Sequence, residues 1–238
     1  MERDRRKHLL DLFRNCPIPD DEIVPNIGLF VVPSTLSRIL FFDFLYRQII
    51  EVQGIIIEFG CRWGQSLSLF SALRGIYEPF NRMRKIVGFD TFTGFPGTCA
   101  KDGPIHTMVD KNYSVTQDYD RYLSELLDCQ EQESPLSHLK KYEIVKGDAG
   151  VQIGEYLKRN PETIIALAYF DLDLYEPTLK CLTAIKDRLT RGSIIGFDEL
   201  NEHVVHGETL ALKEVFGLDR CSIRRFPQNA RTSYIIID

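Results

Sequence analysis

Two pairs of acids stand at positions where they could act together. Asp171 and Asp173 follow the apolar run Ile164–Phe170, and Asp198 and Glu199 follow the run Ser193–Phe197. If those runs are parallel strands of one sheet, both pairs reach the same edge. Carboxylates gathered in one place repel one another unless a cation neutralises them or some take up protons. Oxygen-only ligands suit Mg²⁺, Mn²⁺ or Ca²⁺ rather than zinc. The plainer alternative is a set of acidic helix caps facing solvent. His203 and His206 come next, ahead of a helix starting near Glu208. A histidine there could serve as general base or bind substrate, or could be an ordinary surface-loop residue.

Three other strand ends carry polar groups. In Glu58-Phe59-Gly60-Cys61-Arg62-Trp63-Gly64-Gln65-Ser66, Gly60 and Gly64 allow a tight turn and a close approach of backbone to a ligand. The helix that follows offers unpaired N–H groups to an anion, and Glu58 could accept from an amino group. Asp90 ends a second strand, where a carboxylate can accept from both hydroxyls of a ribose or cap a turn with Thr91. Asp148, in Gly147-Asp148-Ala149, is either a helix N-cap or a neighbour of an adenine ring.

These groups need a scaffold that brings strand ends together. Ile55-Ile56-Ile57 is a β-branched run of the kind buried on both faces of a parallel sheet. Helical stretches over Gln65–Tyr77, Ala149–Arg159, about Glu176–Thr190 and about Glu208–Phe216 alternate with strands at Ile86–Asp90, Tyr142–Lys146, Ile164–Phe170 and Ser193–Phe197. Five such alternations predict a doubly wound, mostly parallel α/β sheet with helices on both faces. Right-handed crossovers put every strand's C-terminal end on one edge, where ligands bind. Ser222–Phe226 and Ser233–Ile237 read as an antiparallel hairpin completing a seven-stranded sheet. Ahead of it, a helix around Lys7–Asn15 and an amphipathic run Thr35–Val52 predict an N-terminal helical cap over residues 1–53, with the main domain over 54–238. The apolar stretch Leu40–Tyr46 serves either core packing or a homo-oligomer interface. Residues Thr91 to about Tyr119 form a long polar loop, a candidate lid carrying His106, Tyr113 and Tyr119.

With 238 residues, the chain can bury roughly 70–75% of its unfolded surface without disulfides or a structural metal. Its six cysteines are scattered with no C-x-x-C pair, which argues for reduced thiols and a cytoplasmic protein. A net charge of −5 argues against a nucleic-acid partner. The cluster Arg82, Arg84 and Lys85 reads as a solvated helix end. No apolar run approaches the roughly 20 residues of a membrane span, and the charged start lacks the pattern of a targeting peptide.

The strings Ile57-Glu58-Phe59-Gly60, Phe89-Asp90-Thr91-Phe92-Thr93-Gly94-Phe95-Pro96, Asp171-Leu172-Asp173-Leu174-Tyr175-Glu176-Pro177-Thr178 and Gly196-Phe197-Asp198-Glu199 together resemble the macrocin O-methyltransferase family. The resemblance runs from about residue 54 to 217. That family methylates sugar hydroxyls of glycosylated natural products. It implies a class I methyltransferase fold, S-adenosylmethionine as methyl donor, a divalent cation such as Mg²⁺, and a glycoside or nucleotide-sugar acceptor. Carried over, Glu58, Gly60, Gly64, Ser66, Asp90, Thr91, Asp148, Ala149 and Asp171 would hold the cofactor. Asp171, Asp198 and Glu199 would bind the metal, with Asp171, Asp173 and His206 as catalytic groups. Arg62 stands where the usual methyltransferase turn has a third, central glycine, and Asp198-Glu199 where Asp-Asp is common in the family. Two other enzyme classes compete: a glycosyltransferase using Asp171-Leu172-Asp173 as an Asp-x-Asp motif, and a nicotinamide dehydrogenase, for which the G-x-G-x-x-G spacing is missing. A non-catalytic scaffold that kept the fold is the third alternative.

Overall fold

A computed structural model describes residues 2–104 and 113–238. The chain divides into two compact units, Met1–Leu40 and Phe41–Asp238. The first contains α1 (Glu2–Arg14), α2 (Asp20–Ile23) and the start of α3 (Pro33–Gln48).

The second unit is built on a seven-stranded sheet. Its strands are β1 (Ile55–Phe59), β2 (Ile86–Asp90), β3 (Tyr142–Lys146), β4 (Ile165–Phe170), β5 (Leu189–Phe197), β6 (Arg224–Arg225) and β7 (Ser233–Ile236). They lie in the order β3-β2-β1-β4-β5-β7-β6. The first five pair in parallel, and β7 inserts antiparallel between β5 and β6. The order reverses between β1 and β4, so their C-terminal ends open the crevice in which such sheets bind ligands. Helices α4 (Gln65–Tyr77), α5 (Tyr119–Gln132), α6 (Ala149–Arg159), α7 (Tyr175–Ile185) and α8 (Gly207–Phe216) complete the unit. The seven-stranded α/β architecture with its terminal hairpin is the one expected from the strand–helix alternation.

Every residue of β4 is buried, as the central strand of a doubly covered sheet requires. One apolar layer joins Phe41, Phe42, Leu45 and Tyr46 to Phe70, Tyr169 and Phe226. The apolar run at the end of α3 is therefore core of the larger unit. The other layer gathers Phe59, Phe89, Phe170 and Phe197 with α6, α7 and α8.

The basic cluster corrects the sequence reading. Arg84 is buried and pairs with Glu78 at 2.7 Å. Its guanidinium also donates to the carbonyls of Ile49, Val52 and Gly54. It ties the end of α3 to the start of β1, a use that its neighbours in sequence do not reveal.

Candidate active site

On the β1–β2–β3 side, each polar group has its own partner. Glu58, at the end of β1, is fully buried, and the hydroxyl of Ser66 on the first turn of α4 donates to its Oε1. Asp90 Oδ2 accepts from the Arg62 N–H at 2.7 Å and Oδ1 from the Phe92 N–H at 2.6 Å. Burial raises the Asp90 carboxyl above its ordinary range, against the downward pull of those N–H groups. Thr91 is engaged in its own turn, donating to the Gly94 carbonyl. Asp148 caps α6 by accepting from the Gly150 N–H at 2.8 Å, with buried Ala149 behind it. A cavity of about 220 Å³ opens beside Asp148, walled by Thr98, Cys99, Leu174 and Pro177.

The two glycines of the β1–α4 turn serve packing. A Cβ on Gly60, at φ 89°, would lie 2.0 Å from the Asp171 carbonyl oxygen, and one on Gly64 would strike Leu123. Gly60 thus lets the chain after β1 pass directly against the chain after β4.

On the β4–β5 side the acids crowd together. Asp173 is held at φ 62°, a left-handed conformation that aspartate tolerates better than most residues. Glu208, fully buried at the start of α8, accepts from the Leu172 N–H at 3.1 Å and from the Glu199 N–H at 3.4 Å. One carboxylate therefore clamps both acid-bearing loops. Asp102, also buried, accepts from the Tyr175 N–H at 2.6 Å, and its carbonyl accepts from the His206 N–H. Asp198 Oδ1 accepts from the Tyr169 hydroxyl at 2.8 Å, while Oδ2 lies 3.6 Å from Arg231 Nε. Arg231 also pairs with Glu199. Burial and the charge of Asp198 push the Asp173 carboxyl up to about 6, against Arg231 and Arg62. Burial, then Asp171, Asp173 and Asp198, drive Glu208 well above the carboxylate range.

The chain superposes on the crystal structure of CalS11, calicheamicin methyltransferase, with a TM-score of 0.95 and 44% sequence identity, covering 99% of this chain and 92% of that one. The apo structure of CalS11, described as a TDP-rhamnose 3'-O-methyltransferase of calicheamicin biosynthesis, gives a TM-score of 0.86 at 42% identity over 97% and 91% of the two chains. The chain belongs to the sugar O-methyltransferase family. It is an S-adenosylmethionine-dependent O-methyltransferase, in line with the resemblance carried by its motifs. The O-methyltransferase NovP shares the fold, with a TM-score of 0.63 at 17% identity over 84% and 79% of the chains. No family model and no curated protein sequence matches the chain.

In this methyltransferase the acid cluster offers oxygen donors only, as a hard cation prefers. Glu199 Oε1 is buried without a hydrogen-bond partner among the described residues. Among the described residues no three acidic, histidine or cysteine side chains converge as a ligand shell. Instead the guanidinium of Arg231 lies against Glu199.

His206 Nε2 lies 2.9 Å from the His203 carbonyl oxygen. The tautomer that donates there leaves the Nδ1 lone pair available. His203 points to solvent beside Glu202. Of the candidate lid, Tyr113 packs edge-on against Phe95 at 5.3 Å, and Tyr119 against Trp63 at 4.7 Å. His106 lies outside the described residues. Glu208, Asp102, Tyr169 and Arg231 were not singled out by sequence. Glu208 reads there only as the start of a helix, and Arg231 only as part of a hairpin turn.

Proposed function

We propose that this enzyme methylates a hydroxyl of a deoxyhexose carried on a nucleoside diphosphate, with the acid cluster at the ends of β4 and β5 receiving the acceptor. The observation that carries the reading is the meeting of Asp171, Asp173, Asp198 and Glu199 on the edge that also presents Glu58, Asp90 and Asp148. The likeness to a TDP-rhamnose 3'-O-methyltransferase at 42% identity supports the acceptor class. When bound, S-adenosylmethionine supplies an electrophilic sulfonium methyl.

Glu58 takes the amino group of the methyl donor, Asp90 its ribose hydroxyls, and Asp148 with Ala149 borders its adenine beside the cavity. Gly60 sets the distance between the turn after β1 and Asp171, which faces both ligands. A sugar hydroxyl is a poor nucleophile at neutral pH. Asp173, whose carboxyl sits near 6, is mostly ionised at pH 7 yet basic enough to accept the hydroxyl proton as the new C–O bond forms. His206 is the second proton acceptor within the same loop cluster. Asp171, Asp198 and Glu199 are the residues that would hold a divalent cation, which lowers the pKa of a hydroxyl it coordinates.

Asp198→Ala tests the assignment. Turnover is expected to fall by about 10²–10³-fold, the loss typical of a deleted charge-stabilising group, with adenosylhomocysteine binding kept. Full turnover in this variant, with unchanged response to Mg²⁺ and chelator, overturns it.

A further inference from the structure

Arg62 occupies the β1–α4 turn at φ 46°, a left-handed conformation that glycine adopts without strain and arginine does not. Glycine can make such a turn, so the turn itself does not call for a long cationic side chain. Strain retained where a smaller residue would relieve it points to a use for the side chain. The guanidinium lies 4.8 Å from the centre of the Tyr113 ring and 5.8 Å from that of Trp63. Both rings are substantially exposed, Trp63 at 41% and Tyr113 at 50%.

A cation resting on aromatic faces is oriented by them while its N–H groups remain available. The two arginines near the acid cluster differ in this respect. Arg231 is committed to Glu199 and Asp198. Arg62 makes no ion pair among the described residues, although its charge reaches Asp173, Tyr113 and Asp90. A sugar alone offers nothing to such a group. A nucleoside diphosphate sugar brings a diphosphate that the acid cluster would repel, and it needs positive charge beside the sugar subsite.

We propose that Arg62, held on the Tyr113 and Trp63 rings, binds the diphosphate of the acceptor. This assignment rests on the nucleotide-sugar reading above and gives that reading a residue. Arginine suits the task because its planar fork can meet phosphate oxygens in pairs.

The test compares wild type with Arg62→Gly, a substitution that relieves the turn and so keeps the fold, and with Arg62→Lys. Steady-state kinetics with a thymidine-diphosphate deoxyhexose is expected to show KM raised about tenfold or more in Arg62→Gly, with kcat within about twofold. Calorimetry with thymidine diphosphate, in the presence of adenosylhomocysteine, is expected to lose binding in parallel, and Arg62→Lys to recover part of it. Adenosylhomocysteine affinity is expected to stay unchanged. If wild type turns over the nucleotide sugar but Arg62→Gly binds the diphosphate as well as wild type, the Arg62 assignment alone is overturned. If Arg62→Gly loses adenosylhomocysteine affinity, Arg62 belongs to the cofactor turn and the assignment is again overturned. If wild type methylates only phosphate-free glycosides, the nucleotide-sugar reading falls and this inference falls with it.

Discussion

At the ends of β1, β2 and β3 every acid has its own donor: Glu58 has the Ser66 hydroxyl, Asp90 two backbone N–H groups, Asp148 the first turn of α6. At the ends of β4 and β5 the acids chiefly face one another, and a single arginine from the hairpin loop lies against two of them. The first arrangement is held by local hydrogen bonds, so it fixes a shape. The second stores mutual repulsion that a bound cation, a proton or an acceptor can relieve. Removing a hydrogen-bonded carboxylate of the first region costs stability, whereas neutralising Asp173 in the second relieves repulsion.

The largest effect is expected where the two regions touch. Gly60→Ala places a Cβ 2.0 Å from the Asp171 carbonyl oxygen at a φ of 89°. Backbone on both sides leaves no flexible side chain to yield. Left-handed strain and forced displacement together are expected to cost about 4 kcal/mol, read as a lowered midpoint in urea denaturation. A cost under about 1 kcal/mol, with adenosylhomocysteine binding intact, would mean that the loops after β1 and β4 are not locked together here.

Asp173→Asn tests the repulsion directly. A carboxyl raised from 3.8 to about 6 in the folded state holds its proton where the unfolded chain has lost it. Its contribution to stability is therefore largest below pH 3.8 and declines as pH rises through 6. Asparagine has no such proton to lose and tolerates the left-handed φ of 62°. The variant is expected to match wild type near pH 4 and to exceed it by about 3 kcal/mol at pH 7, from about 1.4 kcal/mol per unit. Turnover falls at the same time if Asp173 takes the proton. A stability gap that does not change with pH would show that Arg231 and Arg62 already compensate the charge.

The same contrast explains what could be read from the sequence. The bounds of β2, β3, α4 and α6 agree with their sequence patterns because apolar runs bracketed by Gly, Asp or Pro define them locally. The helix expected to reach Thr190 instead ends at Ile185, and β5 begins at Leu189. Lys186-Asp187-Arg188 has helical composition, but there it makes a 3-10 turn, and Leu189 pairs with Ile165 across the sheet. The expected strand Ser222–Phe226 shrinks to Arg224–Arg225, the only part that β7 pairs. Strand-end acids could be located because parallel topology alone gathers them. Arg231 and Glu208 could not, since their role depends on which loops meet in space. Nothing in the sequence around them indicates it.

The smallest effect tests the self-contained side. Asp148 Oδ1 accepts the Gly150 N–H, one of the donors that a helix start leaves without an internal partner. Asp148→Ala deletes that bond and the favourable charge at the α6 N-terminus. The expected cost is about 1 kcal/mol, or about 2–4 °C in Tm for a chain of this size. Unlike the gain expected of Asp173→Asn, this is the deficit of a lost cap hydrogen bond. Calorimetry with adenosylhomocysteine then separates its two roles. A loss of affinity well beyond the change in stability means that the carboxylate also borders the adenine. Unaltered affinity means that the cap is its whole contribution. A gain in stability on removing Asp148 would erase the distinction between the two halves of the edge.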